Sequence, residues 1–386
     1  MESTPRGGRL PEIDVLRGIC LVEMMANHLP LNLLTRFVVE TAGFISAAEG
    51  FVFLSGFVAG WTAFRALAGN HSSKPVLGRF LSRALQLYAV YLALFTIVLA
   101  SAVVGGPHFA EWRHLCMPGT QSAGEIWIFG AAFLYLPKYL DIFSMYCAFL
   151  IFVPLAIGQI GAGRSWLVMA VSGALWAASQ FWNIPEPQLP MRFGYFNLFS
   201  WQLLFTVGIL LGHRKGAGLG RAGESRPVLL VSAGLCLILF VIRHQSMVPW
   251  IGPHLPLLPF SKLIEKPTVG LVRLVNFAAM AYCIRFMLRR GGPRLQRLWA
   301  YRKLAFLGRH SLPVFSWSIV VTFLALLFGP SWQHLPHAVQ VGLVMVTIAA
   351  LWLPARLHEL RRKRRAEVAG EPSFHAPQRT LGYAEQ

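Results

Sequence analysis

The sequence predicts an all-α integral membrane protein, a polytopic bundle of about ten transmembrane helices with both termini cytoplasmic. Three observations carry this. Hydrophobic residues make up 55% of the 386 positions and charged residues 13%, about half the roughly 25% usual in soluble domains. Apolar stretches long enough to cross a bilayer recur along the whole chain. The basic residues, finally, gather on alternate connections between those stretches.

The ten predicted spans are residues 15–34, 44–66, 81–104, 140–160, 166–182, 198–213, 228–243, 270–288, 311–329 and 339–355. With the N-terminus inside, 27 of the 35 Lys and Arg fall on cytoplasmic segments and helix ends, and 8 fall outside. That bias is the positive-inside pattern of a multi-span protein. It accounts for the net charge of +19 without nucleic acid as a partner. Residues 1–355 read as one membrane domain, with no soluble insertion and no repeat of clear period. Residues 356–386 read as a basic cytoplasmic tail, disordered at its end, whose run RLHELRRKRRAE suits anionic lipid headgroups. The start MESTPRGGRLPEID lacks an apolar core with a small-residue cleavage site, so the first span itself is expected to direct insertion. Five cysteines, Cys20, Cys116, Cys147, Cys236 and Cys283, share no ligand spacing, and neither a metal site nor a disulfide framework is expected.

The first span, in EIDVLRGICLVEMMANHL, opens on charge and turns apolar, yet keeps Glu23, Asn27 and His28 where hydrocarbon belongs. Arg17 and His28 are 11 residues apart. On an α-helix that spacing returns to within about 20° of the same face, with a rise of about 16 Å. With Arg17 at the cytoplasmic edge, His28 sits near mid-membrane. Asp14 lies one turn before Arg17 and is expected to pair with it, while Glu23 and Asn27 form a separate i, i+4 pair. An ionisable side chain inside the membrane is costly and marks a functional cavity by default. The alternative for His28 and Glu23 is hydrogen bonding in the bundle interior.

The second span, SAAEGFVFLSGFVAGW, places Glu49 at its outer mouth, close to His28 and an incoming hydroxyl or else in interfacial water. Ser55 and Gly56 would let another helix approach closely. The third opens with GRFLSRALQLYAVYL, which puts Arg79 and Arg83 four apart on one face. Like charges at that spacing repel, and a guanidinium pair suits an anionic ligand such as a phosphate. The following GEIWIFGAAFLYLPKYL carries Trp and Tyr that favour the membrane interface over a crossing.

The fourth and fifth spans are apolar runs, the fourth marked by Asp141 and Tyr146. GYFNLFSWQLLFTVG sets Asn197, Trp201 and Gln202 at the outer end of the sixth, a group able to grip a sugar. The seventh is another apolar run. In the eighth, KPTVGLVRLVNF buries Arg273 near the outer start, where a carboxylate from protein or substrate is needed, with Asn276 beyond it. A basic loop or short surface helix, RRGGPRLQRLWAYRK, is expected at 289–303. LGRHSLPVFSWS begins the ninth, with Ser311 as a cap and Pro313 in the first turn; His310 reads as structural or interfacial rather than catalytic. The tenth leads into the tail.

These segments resemble a known family. EIDVLRGICLVEMMANH is similar to the first-span signature of the membrane acyltransferase 3 superfamily, an Arg followed after ten residues by the catalytic His. FVFLSGF looks like its second-span motif, Arg79 and Arg83 match its R-x-x-x-R element, and LGRHSLPVF resembles its late helix start. Within the superfamily, AAEGFVFLSG, FNLFSWQLLFTVG and VGLVRLVNF most resemble the OpgC branch, which succinylates osmoregulated periplasmic glucans in Gram-negative bacteria. The likeness covers about residues 9–330. The chain departs from the branch at Leu198, where proline is common, and at Asn276, where histidine is common.

The resemblance implies a multi-pass inner-membrane O-acyltransferase, carrying an acyl group (succinyl in that branch) from cytoplasmic acyl-CoA to hydroxyls of a periplasmic glucan. His28 would be the general base on the sugar hydroxyl, with Glu49 orienting its imidazole. Arg79 and Arg83 would hold the coenzyme phosphates, with Asp14 and Arg17 organising that side. Asn197, Trp201 and Gln202 would meet the acceptor, and Arg273 the free carboxylate of a succinyl group. Acyl-CoA is then a donor substrate, with no permanently bound cofactor; the partners are the glucan and membrane lipids. Two alternatives stay open: O-acetylation of another cell-surface polysaccharide and, in a different class, transport of a glucan or small solute. Transporters commonly carry paired broken spans in equivalent halves, and this sequence does not display them.

Overall fold

The computed structural model describes residues 10–29, 42–69, 74–104, 122–181, 194–218, 225–244, 261–326 and 335–368. Among these residues every regular element is a helix. The first seven are α1 (Pro11–His28), α2 (Ala47–Gly69), α3 (Lys74–Val104), α4 (Ala123–Ala131), α5 (Asp141–Gly161), α6 (Ser165–Phe181) and α7 (Leu198–Gly216). The rest are α8 (Arg226–Arg243), α9 (Ser261–Ile264), α10 (Leu271–Arg297), α11 (Trp299–Arg309), α12 (Ser311–Leu326), α13 (His337–Ala350) and α14 (Trp352–Val368).

Six runs among the described residues are long and apolar enough to cross a membrane: Ala47–Ala68, Val76–Val104, Asp141–Gly161, Arg226–Arg243, Leu271–Gly292 and His337–Arg365. The pair α11–α12 bends by 90° and adds a seventh if it forms one broken span. Each of the ten stretches predicted from sequence overlaps a helix, so the all-α membrane class holds.

Local chemistry explains several boundaries. Pro11 enters α1 at its first turn, where a missing N–H is harmless, with Glu12 and Asp14 beside the positive end of the helix dipole. The helix stops at His28, and Leu29 turns extended; residues 30–34 of the predicted first span lie outside the described residues. A reciprocal capping box between Ser122 and Glu125 starts α4, which at 9 residues is too short to cross. This helix docks on α3: Trp127 Nε1 donates to Thr96 Oγ1 at 2.9 Å and Tyr91 Oη to the Gly130 carbonyl at 2.9 Å.

The segment 289–303 differs from the expected loop or short surface helix. Residues through Arg297 continue α10, the backbone breaks at Leu298 (ψ 134°), and α11 begins at Trp299. Arg, Leu and Gln are strong helix formers, which outweighs the paired glycines here. Likewise the first part of the basic tail is helix, in α14; residues 369–386 lie outside the described residues.

Two close crossings hold the bundle. A Cβ at Gly56 or Gly60 would lie 2.1 or 2.0 Å from the carbonyl oxygens of Phe205 and Ile209, and one at Gly208 or Gly212 would meet those of Phe53 and Phe57 at 2.3 and 1.9 Å. Paired G-x-x-x-G faces thus bring the backbones of α2 and α7 together, as small residues do in membranes, where packing and not water exclusion drives association. At the second crossing Gly18 of α1 sits on the Leu304 carbonyl and Gly308 of α11 on the Asp14 carbonyl. Trp201, Tyr91, Phe95, Phe143, Phe205 and Phe323 are among the bulkiest fully buried side chains of the interior.

Candidate active site

A cavity of about 910 Å³ opens between the C-terminal half of α2, the N-terminal half of α3, α5, the α11–α12 bend and α14. Arg17, Arg79, Arg83, Arg309 and Arg361 line it, with His310 and His358. No lining residue among those described is a carboxylate. Deeper in, the walls turn apolar with Phe51, Phe143, Phe205 and Phe315, broken by Ser55 and Tyr146; the Tyr146 hydroxyl lies 3.4 Å from Ser55 Oγ. Such a space suits an amphiphile with an anionic head and a slender apolar or amide arm.

The arginines reach the cavity from several elements. Arg79 and Arg83 stand one turn apart on α3 and are exposed to the cavity side; Arg83 Nη1 donates to Gln86 Oε1 at 2.6 Å. Arg17 comes from α1, brought in by the glycine crossing with α11. Its Nη2 donates to Ser311 Oγ at 2.6 Å, and its guanidinium lies 5.6 Å from the Phe51 ring centre. Its Nε is buried with no hydrogen-bond partner among the described residues. A guanidinium held this way keeps donor capacity for a ligand.

The bend between α11 and α12 is clasped by α14. His310, 4% exposed, hydrogen-bonds His358, Nδ1 to Nδ1 at 2.9 Å, and its Nε2 lies 3.4 Å from Glu359 Oε2. The structural role expected for His310 is consistent with this geometry, though the same contact also sets Arg361, one turn after His358, at the cavity wall.

His28 is not among the residues lining this cavity. It ends α1, with its ring centre 4.7 Å from that of Tyr139. Tyr139 has a left-handed backbone (φ 72°), its ring meets Phe323 edge-on at 6.2 Å, and Lys138 Nζ lies 5.2 Å from its centre. His28 Nδ1 is buried without a hydrogen-bond partner among the described residues. The cavity and the imidazole therefore occupy two levels of one helix, Arg17 at the first and His28 at the second, about 16 Å along the axis.

Glu49 faces Arg273. Arg273 Nε donates to Glu49 Oε1 at 2.8 Å, Nη2 adds a second bond to that oxygen, and Oε2 accepts from the backbone N–H of Ser46 at 2.9 Å and from the Ser46 hydroxyl. At 0% and 4% exposure this is a fully buried pair. The carboxylate is thus spent on Arg273 and Ser46 and not on His28, and the Arg273 guanidinium is spent on protein.

The sixth-span group is similarly engaged. Asn197 caps α7, its Oδ1 accepting from the N–H groups of Phe199 and Ser200 at 2.9 and 3.2 Å. Trp201 is fully buried and donates from Nε1 to the Pro267 carbonyl at 3.0 Å. Gln202 bridges to α6, Nε2 to the Ser172 carbonyl at 2.8 Å and Oε1 from Ser172 Oγ at 2.6 Å. Asn276, the other departure from the resembled branch, accepts from the Phe44 N–H at 2.8 Å. Asp14 turns its carbonyl to Gly308 and is not a lining residue.

The structure thus brings Arg17, Arg79 and Arg83 to one cavity and gathers Glu49 with Arg273 elsewhere. Arg309, Arg361, His358 and Tyr139 were not singled out from sequence. The first three sit in basic runs that topology alone explains, and no periodic signal separates them from their neighbours; Tyr139 looks like an interfacial aromatic. The only hint was the density of basic residues just before the LGRHS segment and again from Arg356 onward.

The family model described as OpgC protein matches residues 9–363. No curated protein matches the chain.

Proposed function

Since the chain belongs to the OpgC family, which implies an OpgC-like acyltransferase, we propose that it carries a succinyl group from cytoplasmic acyl-CoA to hydroxyls of a periplasmic glucan. In this reading ten spans cross the inner membrane with both termini cytoplasmic, so the arginine-lined cavity opens to the cytoplasm and His28 lies toward the periplasm. The observation that carries the reading is the cavity itself, with five arginines and no carboxylate among its described lining, on the helix whose other end bears His28.

Arg79 and Arg83 hold the donor's phosphates, and Arg17, fixed by Ser311, steers the pantetheine arm along α1. Extended, that arm can cover the rise between Arg17 and His28. The His28 imidazole removes the proton from the sugar hydroxyl as its oxygen attacks the thioester carbonyl, and the thiolate leaves toward the cavity, taking a proton as coenzyme A. Tyr139, packed against the ring at a tilt of 55°, keeps it in one orientation. The Glu49–Arg273 pair and the Asn197–Trp201–Gln202 group frame the acceptor side by fixing α2, α7 and α10, since their polar atoms are already engaged. The basic face of α14 rests against anionic headgroups.

Mass analysis of periplasmic glucans from a strain lacking the gene tests this. Glucans that lose succinyl substituents, regained on complementation, support it; glucans still fully succinylated refute it.

A further inference from the structure

Resting on the acyl-CoA reading above, we propose that Arg309 and Arg361 form a second anion subsite, which takes the ribose 3′-phosphate of the donor while Arg79 and Arg83 take its pyrophosphate. Coenzyme A is anionic at two separated places. The α3 guanidiniums stand one helical turn apart and suit one of them. The other needs cations on a second wall, and the cavity supplies them.

Both arginines of that wall are placed by specific contacts. Arg309 Nε donates to the Ala305 carbonyl at 3.3 Å and its guanidinium lies 5.9 Å from the Phe306 ring centre, which orients its terminal nitrogens. Arg361 belongs to a helix fastened to the bend by the His310–His358 and His310–Glu359 contacts. Of the basic run Arg361–Arg365, only Arg361 lines the cavity. Positive-inside topology has no use for that selectivity, and a flexible lipid-binding tail would not need a histidine clasp.

The test measures affinities of the purified full chain for coenzyme A and for 3′-dephospho-coenzyme A by calorimetry. The wild type should favour coenzyme A by about tenfold or more, the scale of one charge-assisted contact to phosphate. Arg309→Gln and Arg361→Gln should each shrink that preference while leaving affinity for the dephospho form unchanged, which also reports that the protein is folded. Arg361→Lys should fall between, keeping the charge and losing the fork, and Arg364→Gln should keep the full preference.

Equal loss of both ligands in the Gln variants, or no loss of either, overturns the subsite. So does a wild type that binds the two forms equally and releases both to a short-chain phosphatidylglycerol, the pattern of a lipid-phosphate site. A wild type that binds neither form sinks the acyl-CoA reading itself, and is thereby told apart from failure of the subsite alone.

Discussion

Arg17 of α1 donates to Ser311 at the first turn of α12, Nη2 to Oγ at 2.6 Å. That bond links the helix carrying His28 to the bend where the cavity opens. Ser311 was expected to be a helix cap; in the structure its hydroxyl holds a guanidinium from a helix 294 positions earlier. Ser311→Ala should therefore weaken acyl-CoA binding by roughly ten- to a hundredfold, on the scale of a hydrogen bond to a charged group, with little change in kcat. Calorimetry and steady-state kinetics on the same preparation check this; unchanged affinity would mean that Arg17 does not need the bond.

Arg79 and Arg83 present two cations from one face of α3 to the cavity. Replacing both by Ala should act chiefly on donor binding, raising KM for acyl-CoA well over tenfold, because two charge-assisted contacts are lost. The turnover at saturating donor should stay within a few-fold of wild type. Calorimetry with unaltered affinity would refute the clamp.

How much of this was readable beforehand depends on range. Membrane class and helix positions follow from apolar runs, which are local. The Arg79–Arg83 pair was visible because both residues lie on one helical turn, and Gly56 announced a close crossing. The partner of Glu49, by contrast, sits 224 residues away in Arg273, and no spacing in a chain encodes such a pairing. Glu49 was expected beside His28 and an incoming hydroxyl or in interfacial water, and Arg273 beside a carboxylate from protein or substrate; each proved to be the other's partner. Arg361 was hidden for a different reason: within a run of basic residues only the helix phase, set by the His310 clasp, decides which one turns inward. Asn197 read as a sugar ligand although it immediately precedes a helix start, the position where an amide oxygen most often caps.

The Glu49–Arg273 pair makes a stability prediction. Removing one partner strands a buried charge, so Glu49→Leu should cost about 3–5 kcal/mol, and Glu49→Leu with Arg273→Met should recover much of it. Thermal unfolding in detergent measures both. A single variant as stable as wild type would show that the pair contributes nothing to the frame.

Asn197 tests whether the sixth-span group frames the acceptor side or touches the sugar. Asn197→Ala should lose about 1 kcal/mol of stability through the missing cap, and Asn197→Asp should restore it. Transfer by the Asp variant should match wild type. If Asp restores stability but kcat/KM for glucan stays low, Asn197 contacts the acceptor directly.

The most direct test of the whole account is acyl transfer by purified His28→Ala in liposomes, with radiolabelled succinyl-CoA outside or inside and glucan on the opposite face. The account predicts that labelled glucan disappears while coenzyme A affinity stays at the wild-type value, because Arg17, Arg79 and Arg83 remain in place. Label reaching the glucan at the wild-type rate would contradict it and take the imidazole out of the reaction.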